Sequence, residues 1–169
     1  MFFFITTGTP EFMEKVQLKN NDLPIVLLNG QGNSVLMYES EKKKSVFATP
    51  RKFEVLAGRG VFEQRGFVAF ENIPVADEER LVFEESLLKN LSSLQNDSSC
   101  IAYRVLRPIK AETYLIVTQW AGPASYEVWK ESSAYIDGLA RLFEGATSPT
   151  QTMFTSKAYS TTYSASVAE

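Results

Sequence analysis

The fold is decided by one stretch of the chain, Thr113-Tyr-Leu-Ile-Val-Thr-Gln-Trp-Ala-Gly-Pro-Ala-Ser-Tyr-Glu-Val-Trp-Lys-Glu-Ser-Ser-Ala-Tyr135. Its first half is rich in β-branched and aromatic residues, which favour a half-buried strand. Gly122 and Pro123 end this strand, and Pro123 suits the first turn of a helix because its φ is fixed and its missing N–H breaks no bond there. From Tyr126 to Trp129 the apolar residues take a helical spacing. We therefore predict a strand, a turn and a helix.

Further strands and helices are predicted on both sides of this stretch, in the second half of the chain. The strands are expected over residues 61–73, 100–106, 113–120 and 152–163. The helices are expected over residues 76–95, with Leu81 among the buried leucines, and 123–145, where Gly138 should kink or divide the helix. The resulting order, βαββαβ, is that of a ferredoxin-like unit.

The first 62 residues carry a shorter α+β pattern. Strands are predicted over residues 1–7, 25–28, 34–39 and 45–48. Thr9-Pro10 and Thr49-Pro50 each place an N-cap residue before a proline, so a short helix is expected after each, the first burying Phe12 and the second burying Phe53. About sixty residues bury little surface alone and are expected to pack against the rest. We predict an N-terminal α+β domain over residues 1–62 and a ferredoxin-like domain over 63–169.

Composition excludes several classes of protein. The net charge of −3 argues against nucleic acid as a partner, because phosphate binding needs a basic face. The single cysteine, Cys100, precludes an intramolecular disulfide and fits a reducing compartment. No apolar run approaches the roughly 20 residues that span a bilayer. We therefore expect a cytoplasmic protein without membrane insertion.

The chain contains no histidine. This excludes Ser-His and Cys-His nucleophilic catalysis, the common zinc sites, and a haem iron held by a proximal histidine.

The strand-turn-helix, with Trp120 closing the strand and Trp129 nine residues later, resembles the antibiotic-biosynthesis-monooxygenase (ABM) superfamily. Within it, the chain is similar to the Isd-type haem-degrading monooxygenases of Gram-positive bacteria. Two further segments add to the match, Tyr103-Arg-Val-Leu-Arg-Pro108 and Phe67-Val-Ala-Phe-Glu-Asn72. The earlier residues are similar to the additional N-terminal domain of the two-domain, HmoB-like subgroup.

The resemblance implies a fold and an assembly. The C-terminal domain would be the ferredoxin-like unit of a dimeric α+β barrel, the arrangement in which two such units pair sheet to sheet. Residues 1–62 would take the place of the second unit and form a pseudo-dimer within one chain. A monomer is then expected rather than a homodimer.

The resemblance also implies an activity. Haem would be both substrate and cofactor, and its ring would be opened with O2 and an external electron donor to release iron and a linear tetrapyrrole. Trp129 would press on the haem face, and Asn72 would hydrogen-bond the iron-bound oxygen. The alternatives are a core tryptophan and an asparagine that simply ends a strand before Pro74.

Glu71 is the third predicted catalytic residue, as a buried carboxylate with a raised pKa that could act on the haem or on a bound water. The alternative is a solvated charge at the edge of a strand. Strand alternation should send Glu71 and Asn72 to opposite faces of the sheet unless a bulge intervenes.

The iron ligand is left open. The axial histidine of the family lies ten residues after the helical tryptophan, and Leu139 occupies that position here. Substitutes would be Tyr126, Tyr135, Glu71 or water, with Cys100 and Met153 as weaker candidates.

Haem contacts are predicted at Tyr135, and at Lys89 and Arg104 as partners of the haem propionates. Surface charge is the alternative for both cations.

Two other functions remain open. The first is a non-catalytic haem-binding or signalling and stress-response protein on the same scaffold, which the missing histidine would fit. The second keeps the ABM fold but oxidises a small aromatic polyketide without any cofactor.

Overall fold

The computed structural model describes residues 1–144, 146–148, 151–152 and 156–166. The strands are β1 (Phe2–Gly8), β2 (Val26–Asn29), β3 (Ser34–Ser40), β4 (Arg51–Arg59), β5 (Phe67–Pro74), β6 (Cys100–Pro108), β7 (Thr113–Trp120), β8 (Ala146–Ser148), β9 (Gln151–Thr152) and β10 (Tyr159–Ser164). The α-helices are α1 (Pro10–Lys19), α2 (Arg80–Lys89), α3 (Ser92–Gln95), α4 (Pro123–Glu131), α5 (Ser133–Asp137) and α6 (Leu139–Glu144). A 3-10 turn, Asp77–Glu79, precedes α2.

Eight of the described strands close an antiparallel barrel in the order β1-β3-β2-β10-β5-β7-β6-β4, and β8 and β9 form a separate pair. The first four strands of the chain are neighbours in the order β4-β1-β3-β2. The last four barrel strands repeat that order as β10-β5-β7-β6. The predicted α+β class and the βαββαβ order of the second half are confirmed, while the domain boundary between residues 62 and 63 stays a prediction.

Side chains of the barrel strands alternate between two apolar layers. The layer inside the barrel combines residues of β1 to β7, among them Phe3, Val35, Phe53, Phe70 and Leu115. The layer outside β5, β6 and β7, called the helix-side layer below, is covered by α2 to α6. It contains Ile73, Phe83, Trp120, Trp129 and Leu139. Because neighbouring residues of a strand face opposite ways, β5, β6 and β7 each contribute to both layers. A third, smaller cluster joins α1 to β1 and β3.

The prediction for residues 45–58 is wrong. Residues 45–48 are not a strand, and the helix expected after Thr49-Pro50 is the strand β4. Phe53 pairs with Phe3 of β1, and Val55 pairs with Leu106 of β6. Cross-strand partners on both sides outweigh the weak local preference for a helix.

The buried faces of the predicted helices are confirmed only in part. Met13 and Leu87 face the core as predicted, whereas Phe12 is 59% exposed and Leu81 is 82% exposed. Leu88 and Ile136, which the apolar spacing also places on buried faces, are exposed as well. The N-cap at Thr9 is confirmed, since its hydroxyl oxygen accepts the backbone N–H of Phe12 at 3.3 Å.

The helical region after Pro123 is divided at Gly138, as predicted. Part of the predicted last strand, residues 153–155, lies outside the described residues, and β10 begins at Tyr159. Among the described helices, none has both the length and the apolar character that a membrane span requires.

A buried ion pair connects the two halves of the barrel. Arg104 on β6 meets Glu39 on β3 through two bonds, from Nε and Nη2, each of 2.9 Å. The remaining N–H groups of Arg104 donate to the carbonyl oxygens of Arg59, Gly60 and Tyr103 at 2.7–3.0 Å. All five guanidinium donors are therefore satisfied inside the protein.

Loss of the Glu39 carboxylate should destabilise the fold strongly. Glu39→Ala leaves the guanidinium of Arg104, which is 8% exposed, without a counter-ion, and breaking such a pair costs about 3 kcal/mol of unfolding free energy. Urea-induced unfolding measures this loss. Glu85→Ala is the matched control because Glu85 pairs with Lys89 in the open on α2, and its loss should stay below about 0.5 kcal/mol. Equal losses in the two variants would contradict the role assigned to the buried pair.

Candidate functional site

A cavity of about 670 Å³ lies between strands β5 and β10 and helices α4 to α6. Its volume falls within the range of small-molecule sites. The walls combine apolar side chains, at Ile73 and Phe143, with two carboxylates, two phenols, two hydroxyls, two amines and an amide. These polar groups belong to Glu71, Glu144, Tyr135, Tyr159, Ser156, Ser160, Lys130, Lys157 and Asn72. This combination of apolar walls with a few convergent polar groups is typical of a ligand site.

Glu71 is a buried group and not a solvated edge charge. It is 4% exposed and faces the helices. One carboxylate oxygen accepts the hydroxyl of Tyr126 at 2.6 Å, and the other accepts the hydroxyl of Ser160. Burial, together with the charge of Glu71 and this hydrogen bond, raises the pKa of Tyr126. Both oxygens are engaged, so the carboxylate holds α4 and β10 against β5.

Tyr135 forms part of the cavity wall and is 7% exposed. Burial, followed by the charge of Glu71, raises the pKa of its hydroxyl. Within the described part of the chain, no hydrogen bond satisfies that hydroxyl. The ammonium of Lys130 lies 5.9 Å from the Tyr135 ring centroid and 5.2 Å from that of Tyr126. The wall thus carries a free phenol with a cation beside it.

Trp129 lies behind this wall. It is 1% exposed and does not line the cavity. Its ring centroid is 4.5 Å from that of Tyr135 and 5.3 Å from that of Trp120. The indole Nε1 is buried without a hydrogen-bond partner. In this packing Trp129 is a core residue that supports Tyr135, and a ligand in the cavity would meet Tyr135 first.

The side chain of Asn72 points to the barrel interior. Asn72 pairs with Leu115 of the interior layer, and Glu71 pairs with Ile116 of the helix-side layer. The Asn72 amide donates to the carbonyl oxygen of Phe70 at 3.4 Å. The predicted separation of Glu71 and Asn72 onto opposite faces is confirmed, and their side chains do not converge on one ligand position.

The remaining predicted residues lie away from the cavity. Lys89 is exposed and pairs with Glu85 at 3.2 Å. Arg104 is fully engaged at the opposite side of β6, as described above. Leu139, at the axial-histidine position of the family, is fully buried in the helix-side layer. The haem contacts predicted for Lys89 and Arg104 gain no support from this geometry.

Sequence reasoning missed Lys130 and Ser160. Lys130 directly follows Trp129 and could have been found by asking which charge borders the predicted aromatic stripe. Ser160 reaches Glu71 only through the pairing of β10 with β5, and no local signal marks it. Across the described ranges, no group of three or more His, Cys, Asp or Glu residues could hold a metal ion.

Comparison with known proteins defines the class. Residues 60–141 match the sequence model of the family described as antibiotic biosynthesis monooxygenase. The closed barrel with helices over one face is the ABM ferredoxin-like α+β fold. This match agrees with the resemblance to that superfamily.

Several similar proteins carry the name of a signal transduction protein. The chain is 25% identical over 141 residues to the signal transduction protein TRAP of Staphylococcus epidermidis, covering 83% of this chain and 84% of that protein. It is 26% identical over 138 residues to the protein of the same name from Staphylococcus aureus, covering 82% of each.

Two solved structures share the fold. One is described as the structure of a major regulator of staphylococcal pathogenesis, with a TM-score of 0.85, 23% identity, and coverage of 97% of this chain and 98% of that one. The other is LmHde, a heme-degrading enzyme from Listeria monocytogenes, with a TM-score of 0.74, 20% identity, and coverage of 97% and 99%. At these identities the likeness establishes the fold and not an activity.

The raised pKa of Tyr126 predicts a pH dependence of stability. A group whose pKa rises on folding stabilises the protein below its unfolded pKa, about 10 for tyrosine. That contribution is lost as pH rises further, by up to about 1.4 kcal/mol per pH unit. Tyr126→Phe should therefore flatten the fall in unfolding free energy between about pH 10 and 11, measured by urea unfolding. Phe67→Leu is the control because Phe67 packs on Tyr126 without titrating, and equal slopes for Tyr126→Phe and the parent chain would contradict the assignment.

Proposed function

We propose that this chain binds haem in the cavity beside α5 and α6, as a haem-binding protein on the ABM scaffold. The observation that carries the proposal is the free hydroxyl of Tyr135 in a wall of that cavity. Tyrosine is a known protein ligand of haem iron. The apolar walls at Ile73 and Phe143 would meet the macrocycle.

Two of the four charged groups at the cavity would pair with the carboxylates of haem, and the other two are the carboxylates of Glu71 and Glu144. Lys130 and Lys157 both border the cavity, and lysine pairs with carboxylates as a point charge. The carboxylate of Glu71 is already satisfied by Tyr126 and Ser160, so it would hold the wall rigid and add little repulsion. When bound, haem supplies an iron that can take up O2 once it is reduced.

Haem degradation is the second candidate, and the ABM monooxygenase-like fold favours it. The reaction would consume O2 and electrons from an external donor and would release iron and a linear tetrapyrrole. The two residues that the family resemblance assigns to it are placed differently here, with the Asn72 amide in the barrel interior and Trp129 behind Tyr135. We therefore rank binding without turnover first, which also agrees with relatives named for signal transduction.

Haem titration of the purified protein tests the binding proposal. A Soret band should form and saturate with one haem per chain. Tyr135→Phe should weaken haem binding by about tenfold or more, because loss of one supporting group at an iron site costs that much, and Lys130→Gln should weaken it less. Lys89→Gln is the matched control, since it removes an equal charge far from the cavity. No Soret band, or equal affinity in all variants, would overturn the proposal.

Addition of ascorbate in the presence of catalase then distinguishes a haem-binding protein from a haem-degrading enzyme. A Soret band that persists supports binding without turnover. A band that decays with release of iron supports degradation, and Glu71→Gln would then be the next variant. Neither result tests the third function, oxidation of a polyketide without a cofactor. That function is supported only if haem fails to bind.

We also infer that residues 1–62 replace a second ferredoxin-like unit within one chain. The inference rests on the identical strand order of the two halves and on the two seams that close the barrel, β2 with β10 and β4 with β6. Because the eight described barrel strands close within one chain, the barrel sheet leaves no edge for a second copy. Light scattering should therefore give a mass near 19.0 kDa, and twice that mass would contradict the inference.

A further inference from the structure

A second cavity, of about 710 Å³, opens at one end of the barrel. The start of β4, the end of β6 and the start of β7 meet there with the loop at residues 109–111. Its charged lining residues are Arg51, Lys52 and Lys110, and its apolar lining includes Phe53, Pro108 and Ile109. Among the described residues that line it there is no carboxylate. This local charge of about +3 contrasts with the net charge of −3 of the chain and attracts anions.

Arg51 differs from the other six arginines of the chain. Five of those form an ion pair with an aspartate or glutamate, and Arg59 donates to three carbonyl oxygens at 3.1–3.2 Å. Within the described residues, Arg51 has no ion pair and only one long hydrogen bond, to the amide oxygen of Asn72 at 3.5 Å. Although part of its side chain is exposed, the surrounding protein lowers its pKa. An anionic ligand would satisfy this guanidinium.

The basic side chains are held near one another by the backbone. The N–H of Ile109 donates to the carbonyl oxygen of Lys52 at 2.9 Å, which fixes the loop against β4. Lys110 takes a left-handed conformation, with φ of 59°, and no other non-glycine residue in the described ranges has a positive φ. The guanidinium of Arg51 lies 5.2 Å above the ring of Phe53. Cations and apolar surface are therefore adjacent in this cavity.

We propose that this cavity is a second ligand site, which takes a small organic anion. A carboxylate or phosphate group would bind at Arg51, Lys52 and Lys110, since arginine and lysine both donate charge-assisted bonds to such groups. The apolar body of the ligand would lie against Ile109, which is half-buried. This site is separate from the helix-side cavity, although Tyr159 borders both.

The test uses the full chain and the fluorescent aromatic sulfonate 1-anilinonaphthalene-8-sulfonate at low salt. Arg51→Gln and Lys110→Gln should each weaken its binding by about fivefold or more, as expected for loss of one charge contact. Lys130→Gln is the control for probe that binds in the helix-side cavity, and Lys89→Gln is the control for a general loss of positive charge. Both variants should bind the probe as tightly as the parent chain. Thermal unfolding of each variant checks that the fold is retained.

Competition with unlabelled anions tests the apolar part of the site. Benzoate should displace the probe at lower concentration than inorganic phosphate, because its ring can cover Ile109. The proposal is overturned if the probe does not bind, if Arg51→Gln and Lys110→Gln bind it as tightly as the parent chain, or if only Lys130→Gln weakens it. Displacement by phosphate alone would overturn the assignment of an organic ligand.

Discussion

Closure of the barrel is the constraint on which the rest of the structure depends. Every barrel strand is paired on both sides, so the sheet has an inside and an outside, and successive residues must go to one or the other. On β5 this sends the Asn72 side chain inward and Glu71 toward the helices. The helix-side cavity consequently contains a carboxylate that is already bonded, whereas the cavity at the barrel end contains cations without counter-ions. The charged groups described at the helix-side cavity balance, with Lys130 and Lys157 against Glu71 and Glu144, whereas those described at the barrel end are all basic.

The sequence carried enough local signal to predict most of the fold. The turn at Gly122-Pro123, the cap at Thr9 and the break at Gly138 each depend on the chemistry of a few adjacent residues, and the structure has all three. β4 was missed because its apolar residues fit a short helix as well as a strand. Its partners, β1 and β6, lie about fifty residues away on either side, and only that long-range pairing decides between the two.

The site was less predictable than the fold for the same reason. Alternation along β5 could be derived from sequence, and it placed Glu71 and Asn72 correctly on opposite faces. No local pattern reveals whether the helical face of Trp129 is open to a ligand or covered by Tyr135, since an aromatic stripe serves either purpose. The hydroxyl of Ser160 comes from a strand 89 positions later in the chain, and its role depends entirely on the register of β10 against β5.

The absence of histidine determines what the helix-side cavity can do. The phenols of Tyr126 and Tyr135 have pKa values raised by burial and by the charge of Glu71, so without a bound metal both stay protonated at neutral pH, and Tyr126 donates its proton to a hydrogen bond with Glu71. A general base works best with a pKa near the working pH, and neither phenol meets that condition. Such a wall is better suited to holding a ligand than to moving protons. Any oxidation at this cavity would have to draw its reactivity from the bound group and an external electron donor, with the side chains limited to positioning.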